Sequence, residues 1–309
     1  MYTRIVTPLD GSKTAEKALP YVRLLGRELQ LPVELLNVVD VVDLATVTSA
    51  RNEEFLRAIV AEAERQAKTY LEGVSASLRG CEISCKVLKG VPEDVIVETA
   101  ARDKGSLIAM ATHGRSGLGR WLLGSVAEKV LRSAMNPLLL VRASEEIGRD
   151  DEVRLRSVIV PLDGSSLAEA VLPAAVALAK TLNLEIVLAR AYRLPTDRYT
   201  SADEFHTINF DQLRSQMRDE AKVYLQNKAQ ELEGKGLRVS SIPLEGHAAE
   251  EIIGLGRSTR DNLIAMSTHG RSGLKRWILG SVTEKVVRHS GDPVLVLSPK
   301  ARSGRVRPD

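Results

Sequence analysis

Residues 111–125 read ATHGRSGLGRWLLGS, and residues 267–281 read STHGRSGLKRWILGS. Carried on to residues 141 and 297, the two stretches share 19 of 31 positions, far above chance. The repetition extends backwards as well. MYTRIVTPLDGS at the start matches RLRSVIVPLDGSS, which pairs Asp10 with Asp163, and VLKGVPEDVI matches PLEGHAAEEI, which pairs Gly90 with Gly246. The chain is therefore a tandem duplication, and each copy is long enough to be a domain rather than a solenoid repeat. The expected boundaries are residues 1–143 for the first domain, 144–155 for a charged linker and 156–299 for the second domain. Residues 300–309 are expected to form a basic, disordered tail.

Within each copy, short apolar runs alternate with helical spacing. RIVTPL ends at Asp10-Gly11, as a strand feeding a turn does. Ala15, Ala18, Leu19, Val22, Leu25 and Leu29 then follow at helical intervals. VELLNVV predicts a second strand, and a polar segment leads to a helix over about residues 52–78. EISCKVL, SLIAMAT and PLLLVR complete the strands, with helices over PEDVIVETAARD and SVAEKVLRSA between them. The second copy repeats this order with SVIVPL, EIVLARAY, LRVSSIPL, NLIAMST and PVLVLS. The pattern predicts an α/β fold of two tandem doubly wound domains, each a five-stranded parallel sheet (order 3-2-1-4-5) with helices on both faces.

Bulk composition narrows the partners. The chain has 309 residues, 44% of them hydrophobic and 27% charged, so a sizeable buried core is feasible. A net charge of +3 from 43 basic and 40 acidic residues gives no reason to expect a nucleic-acid partner. No apolar run is long enough to span a membrane and the first residues lack a signal-peptide pattern, so a cytoplasmic protein is expected. Cys81 and Cys85, four residues apart in a strand-like stretch, are separated by roughly 13 Å in extended chain, too far for a disulfide.

In doubly wound sheets ligands bind beyond the carboxyl ends of the strands. The distinctive residues collect there: Asp10-Gly11, residues 37–40, Gly90-Val91-Pro92 and the loop from His113 to Ser125. In that loop Gly114 and Gly117 permit positive φ and close approach of a ligand. Gly124-Ser125 opens a helix whose first N–H groups lack intrahelical partners, which suits phosphate. Arg115, and Arg271 in the second copy, add fork-shaped donors. A blander reading stands beside this one. Ser125-x-x-Glu128 and Ser281-x-x-Glu284 both fit a capping box, in which each serine merely satisfies its own helix. His113 and His269 have no evident partner acid or nucleophile and read as loop-stabilising residues.

Nearly the whole chain resembles a tandem universal stress protein. The nucleotide-binding branch of that family carries Gly-x-x-Gly-x9-Gly-Ser/Thr. Here Gly114 is followed by nine residues and Gly124-Ser125, and Gly270 by nine residues and Gly280-Ser281, while Ala111 and Ser267 stand where the motif has its first glycine. The resemblance implies one adenine-nucleotide site per domain, taking ATP (or AMP/ADP). The implied site in the first copy comprises Pro8, Leu9, Asp10, Val38, Gly90, Ala111, His113, Gly114, Arg115, Gly117, Gly124, Ser125 and Val126. In the second it comprises Pro161, Leu162, Asp163, Ala191, Gly246, Ser267, His269, Gly270, Arg271, Gly273, Gly280, Ser281 and Val282. An aspartate beside a phosphate tail calls for a cation, so Mg²⁺ or Mn²⁺ is expected with the nucleotide. The family's dimers pair through the last strand. An internal pseudo-dimer of the two copies through their apolar closing strands is expected here, and a homodimer of the whole chain is left open. The function implied is that of a stress sensor or regulator with at most slow hydrolysis. A nucleotide-free interaction module and a slow ATPase are the alternatives.

Overall fold

The structure, a computed structural model, describes residues 2–47, 53–112, 123–142, 148, 150–194, 209–268 and 279–298. Its described residues fall into two compact units. The first holds those up to Arg154 together with Leu279 and Pro293–Ser298, and the second holds those from Leu155 to Thr268 and from Gly280 to Asp292. Of the expected linker, residues 148 and 150–155 are described; the tail at 300–309 lies outside the described residues.

The first unit has strands β1 (Arg4–Pro8), β2 (Val33–Val39), β3 (Ile83–Lys89), β4 (Ser106–Ala111) and β5 (Leu138–Val141). Between them lie helices α1 (Leu19–Glu28), α2 (Val41–Val47), α3 (Glu53–Ser75), α4 (Pro92–Ala101) and α5 (Ser125–Ser133). The strands lie in the order β3-β2-β1-β4-β5, and every pairing among them is parallel. All six residues of SLIAMA in β4 and all four of LLLV in β5 are buried, as strands covered on both faces must be. Edge strand β3 is mostly exposed. Alongside β5 runs an antiparallel strand from the end of the chain, Val294–Leu297, with Val294 opposite Leu140 and Val296 opposite Leu138. That partner covers a strand whose apolar edge would otherwise lie open.

The second unit repeats the plan with β6 (Ser157–Pro161), β7 (Glu185–Tyr192), β8 (Arg238–Glu245) and β9 (Asn262–Ser267), ordered β9-β6-β7-β8 and all parallel. Its helices are α6 (Ser166–Glu169), α7 (Leu172–Leu182), α8 (Phe210–Glu233), α9 (Ala248–Ser258) and α10 (Ser281–His289). Among the described residues the strand Val294–Leu297 is thus the last, β10. The expected α/β class, with a parallel-dominated sheet and helices, is what the chain adopts. Cys81 and Cys85 are both free thiols. Among the described residues no helix is long and apolar enough to cross a membrane.

Candidate functional site

Each unit opens a cavity of about 280 Å³ at the carboxyl ends of its central strands. Its construction starts at the turn after the first strand. Asp10 Oδ1 accepts the Ser12 N–H at 2.9 Å and the Ser12 hydroxyl at 2.6 Å. The Ser12 Oγ in turn accepts the Ala15 N–H at 3.1 Å. The second unit reproduces the relay with Asp163, Ser165 and Ala168 at 2.9, 2.6 and 3.1 Å. The aspartates therefore do the turn-forming work open to Asp before Gly, and each also lines its cavity.

Apolar side chains form part of the cavity lining. In the first unit these are Leu36 and Val38 from β2, Ile96 from α4 and Met110 from β4. In the second, Ala189 and Ala191 replace the β2 pair, with Ile252 and Met266 opposite. Another part of the lining is a helix N-terminus. Gly124 is the residue that caps α5, with extended φ −60° and ψ 147°, and no side chain caps the helix. Gly280 caps α10 in the same way, at φ −61° and ψ 138°. The capping-box reading of Ser125 and Ser281 is therefore corrected. Each serine is one position inside its helix, exposed at the cavity, and the cap is a residue without a side chain. The reason is that Gly124 N–H donates to the Thr112 carbonyl at 2.8 Å, and Gly280 N–H to the Thr268 carbonyl at 2.7 Å, which ties the glycine to the strand end. Among the described residues no side chain caps either helix, and its first N–H groups carry the positive end of the helix dipole.

Of the expected residues, Pro8, Leu9, Asp10, Val38, Ala111, Gly124, Ser125 and Val126 come together around the first cavity. Pro161, Leu162, Asp163, Ala191, Ser267, Gly280, Ser281 and Val282 do so around the second. Gly90 and Gly246 instead make the turn beside it, donating to the carbonyls of Val39 at 3.1 Å and Tyr192 at 2.9 Å. From those turns Pro92 and Ala248 reach the cavity wall. His113, Gly114, Arg115, Gly117, His269, Gly270, Arg271 and Gly273 lie outside the described residues. Sequence reasoning missed Leu36, Ala189, Ile96, Ile252, Met110 and Met266. Period-two alternation back from Val38 and Ala191 would have found the first two.

An ionic cluster lies near Asp163 in the second unit. Glu169 accepts from the Tyr224 hydroxyl at 2.7 Å and from Lys228 Nζ at 2.8 Å, while the Arg190 guanidinium stacks 4.7 Å from the Tyr224 ring centre. Burial, with the Glu169 carboxylate beside it, pushes the Tyr224 hydroxyl far above the ordinary tyrosine range. Burial alone would raise Glu169, but its bonds to Lys228 and Tyr224 outweigh that and hold its carboxyl below the usual range. In the first unit the matching pair is looser, with Tyr70 and Glu16 at 3.3 Å.

Among the described residues no group of three or more His, Cys, Asp or Glu could hold a metal ion. Among its described lining residues each cavity offers one carboxylate. That fits an ion held chiefly by a ligand's own phosphates, as Mg²⁺ commonly is, and does not fit a cage built by the protein.

The chain has clear relatives. A family model described as "Universal stress protein family" matches residues 1–142 and again 154–298. Universal stress protein MJ0531 of Methanocaldococcus jannaschii is 34% identical over 142 residues, covering 46% of this chain and 83% of that protein. Universal stress protein Mb2028c of Mycobacterium bovis is 25% identical over 305 residues, covering 94% of this chain and 96% of that one. Among solved structures, a universal stress protein from Archaeoglobus fulgidus superposes with a TM-score of 0.69 at 21% identity, covering 96% of this chain and 97% of its own, a likeness of fold. With both copies matched almost end to end, the chain belongs to the Universal stress protein family.

Proposed function

We propose that each unit binds an adenine nucleotide, ATP or its di- or monophosphate, with Mg²⁺ or Mn²⁺ shared between the phosphates and Asp10 or Asp163. On this reading the protein is a cytoplasmic, nucleotide-dependent sensor or regulator of stress, not a fast catalyst. The observation that carries it is a cavity present twice, its lining an apolar slot together with a helix N-terminus whose cap is a glycine. Such a terminus receives an anion, and the slot removes an aromatic ring from water. The antiparallel pairing of β10 with β5 supports association of the two copies through their closing strands.

The test is calorimetric titration of the full chain with ATP and Mg²⁺. Two sites per chain are expected. Val126→Glu should remove one and Val282→Glu the other, because each places a carboxylate at a helix N-terminus next to the nucleotide's negative charge. A chain that binds no adenine nucleotide, purified free of it, would refute the reading and favour an interaction module.

A further inference from the structure

The two cavities are built on one plan, yet their walls differ in a consistent direction. Leu36 and Val38 of the first correspond to Ala189 and Ala191 of the second, so the apolar part of the lining loses side-chain mass. Elsewhere in the lining, Ala111 and Ala127 correspond to Ser267 and Thr283, so two methyl groups become hydroxyl-bearing side chains.

The two hydroxyls are not alike. Thr283 is 3% exposed and its Oγ1 donates to the Ser267 carbonyl at 2.8 Å, joining the first turn of α10 to the end of β9. Ser267 is 6% exposed and is one of the residues lining the cavity, while its hydroxyl oxygen is closed off from water and has no hydrogen-bond partner among the described residues. A buried hydroxyl left unbonded carries a desolvation cost, and native structures retain few such groups without a reason. This one belongs to the strand residue whose carbonyl receives the Thr283 hydroxyl, beside the glycine-capped N-terminus of the nine-residue helix α10.

Resting on the nucleotide reading above, we propose that Ser267 is a specificity-determining residue of the second site, its side chain turning to another staggered χ1 rotamer to donate the hydroxyl to a phosphate oxygen of the bound nucleotide. The first site has no counterpart to that bond, because Ala111 stands in its place. The second site thus recognises the phosphate tail more and the base less, while the first leans on Leu36 and Val38. A hydroxyl bonded to a charged oxygen, with relief of the cost it carried when empty, corresponds to about a tenfold change in affinity.

The experiment uses the full chain with the first site blocked by Val126→Glu, titrated separately with Mg²⁺–ATP and with adenosine, which lacks phosphate. Adding Ser267→Ala should weaken ATP about tenfold, leave adenosine unchanged and leave the melting temperature equal or higher. An ATP affinity that does not move, or a loss equal for ATP and adenosine, would overturn the role of Ser267 while leaving the nucleotide site intact. If the unaltered chain binds neither ATP nor adenosine, this inference falls together with the nucleotide reading.

Discussion

A single carboxylate oxygen of Asp10 receives two hydrogens from Ser12, its N–H at 2.9 Å and its hydroxyl at 2.6 Å, and Asp163 holds Ser165 identically. That bonding separates the shape of the turn from its charge. An asparagine presents the same acceptor oxygen without the negative charge, whereas alanine removes both. Asp10→Asn with Asp163→Asn should leave thermal stability nearly unchanged, while the alanine pair should lose about 1–2 kcal/mol per turn. If phosphate lies beside these groups, the asparagine pair should bind ATP more tightly than the unaltered chain in EDTA and gain less from added Mg²⁺. Calorimetry with and without the metal checks both. Equal gains from Mg²⁺ in the two chains would remove the aspartates from the metal's surroundings.

The turn after the third strand depends on backbone conformation rather than on side chains. Gly90 has φ 143° and Gly246 has φ 146°, a region L residues rarely enter. A Cβ added at Gly90 would also meet Val95 Cγ2 at 2.8 Å, on a β-branched side chain with little freedom to move. At Gly246 the atoms in the way belong to the flexible Glu251. Gly90→Ala should therefore cost about 1–3 kcal/mol and Gly246→Ala less. Hydrogen exchange of the amides of α4 and α9 reads the two effects separately. Equal protection loss at both turns would mean that steric contact adds nothing to the backbone strain.

Alternation of β-branched runs with helical spacing was sufficient to foretell the α/β class, because parallel strands covered on both faces must be apolar throughout, as SLIAMA and NLIAMS are. Duplication then located the cavity floor, since Pro8-Leu9-Asp10 and Pro161-Leu162-Asp163 recur at strand ends. Two things were not legible. Ser125-x-x-Glu128 matches a capping box in type and spacing, but the hydrogen bond from Gly124 to Thr112 moves the helix start by one residue, and only the fold supplies that partner. The apolar slot was hidden for another reason. Ile96 and Met110 lie on different elements, and residues like them make up most of the core, so no local pattern distinguishes a lining residue from a packed one.

The Glu169 cluster ties α6 to α8 through charge. Lys228 and Tyr224 keep the Glu169 carboxyl below its ordinary value of 4.5. An acid whose folded value is depressed adds stability that is complete above its unfolded value and disappears as pH falls through the folded one. With Lys228→Met the principal lowering partner is gone while the burial remains. Acid unfolding of the second unit should then begin at a higher pH than in the unaltered chain. Circular dichroism followed from neutral to acid pH checks the shift, and an unmoved acid limb would show the pair to be energetically silent.

Asp292 has the opposite sign. Its Oδ1 accepts from Asn262 Nδ2 at 2.9 Å, and Asn262 is 2% exposed, with an Oδ1 that finds no partner among the described residues. Burial raises the Asp292 carboxyl above its ordinary value of 3.8, more than the bonds from Asn262 and Ser290 and the nearby Arg257 lower it. A group of this kind stabilises the fold fully below the unfolded value and loses that contribution as pH rises through its folded value. The first copy shows the alternative, since Asn136 occupies the matching position and donates to the carbonyls of Asp103 at 2.9 Å and Ser106 at 3.2 Å. Asp292→Asn should therefore grow more stable relative to the unaltered chain as pH increases from about 3.8 through the raised value, and then hold a constant advantage. The amide keeps an acceptor for Asn262 Nδ2, and its amino group takes the place of the Oδ2 that accepts from the Ser290 hydroxyl at 3.3 Å. Denaturant unfolding of both chains at a series of pH values gives the difference curve. A flat difference would mean that Asp292 is hydrated well enough to ionise without cost.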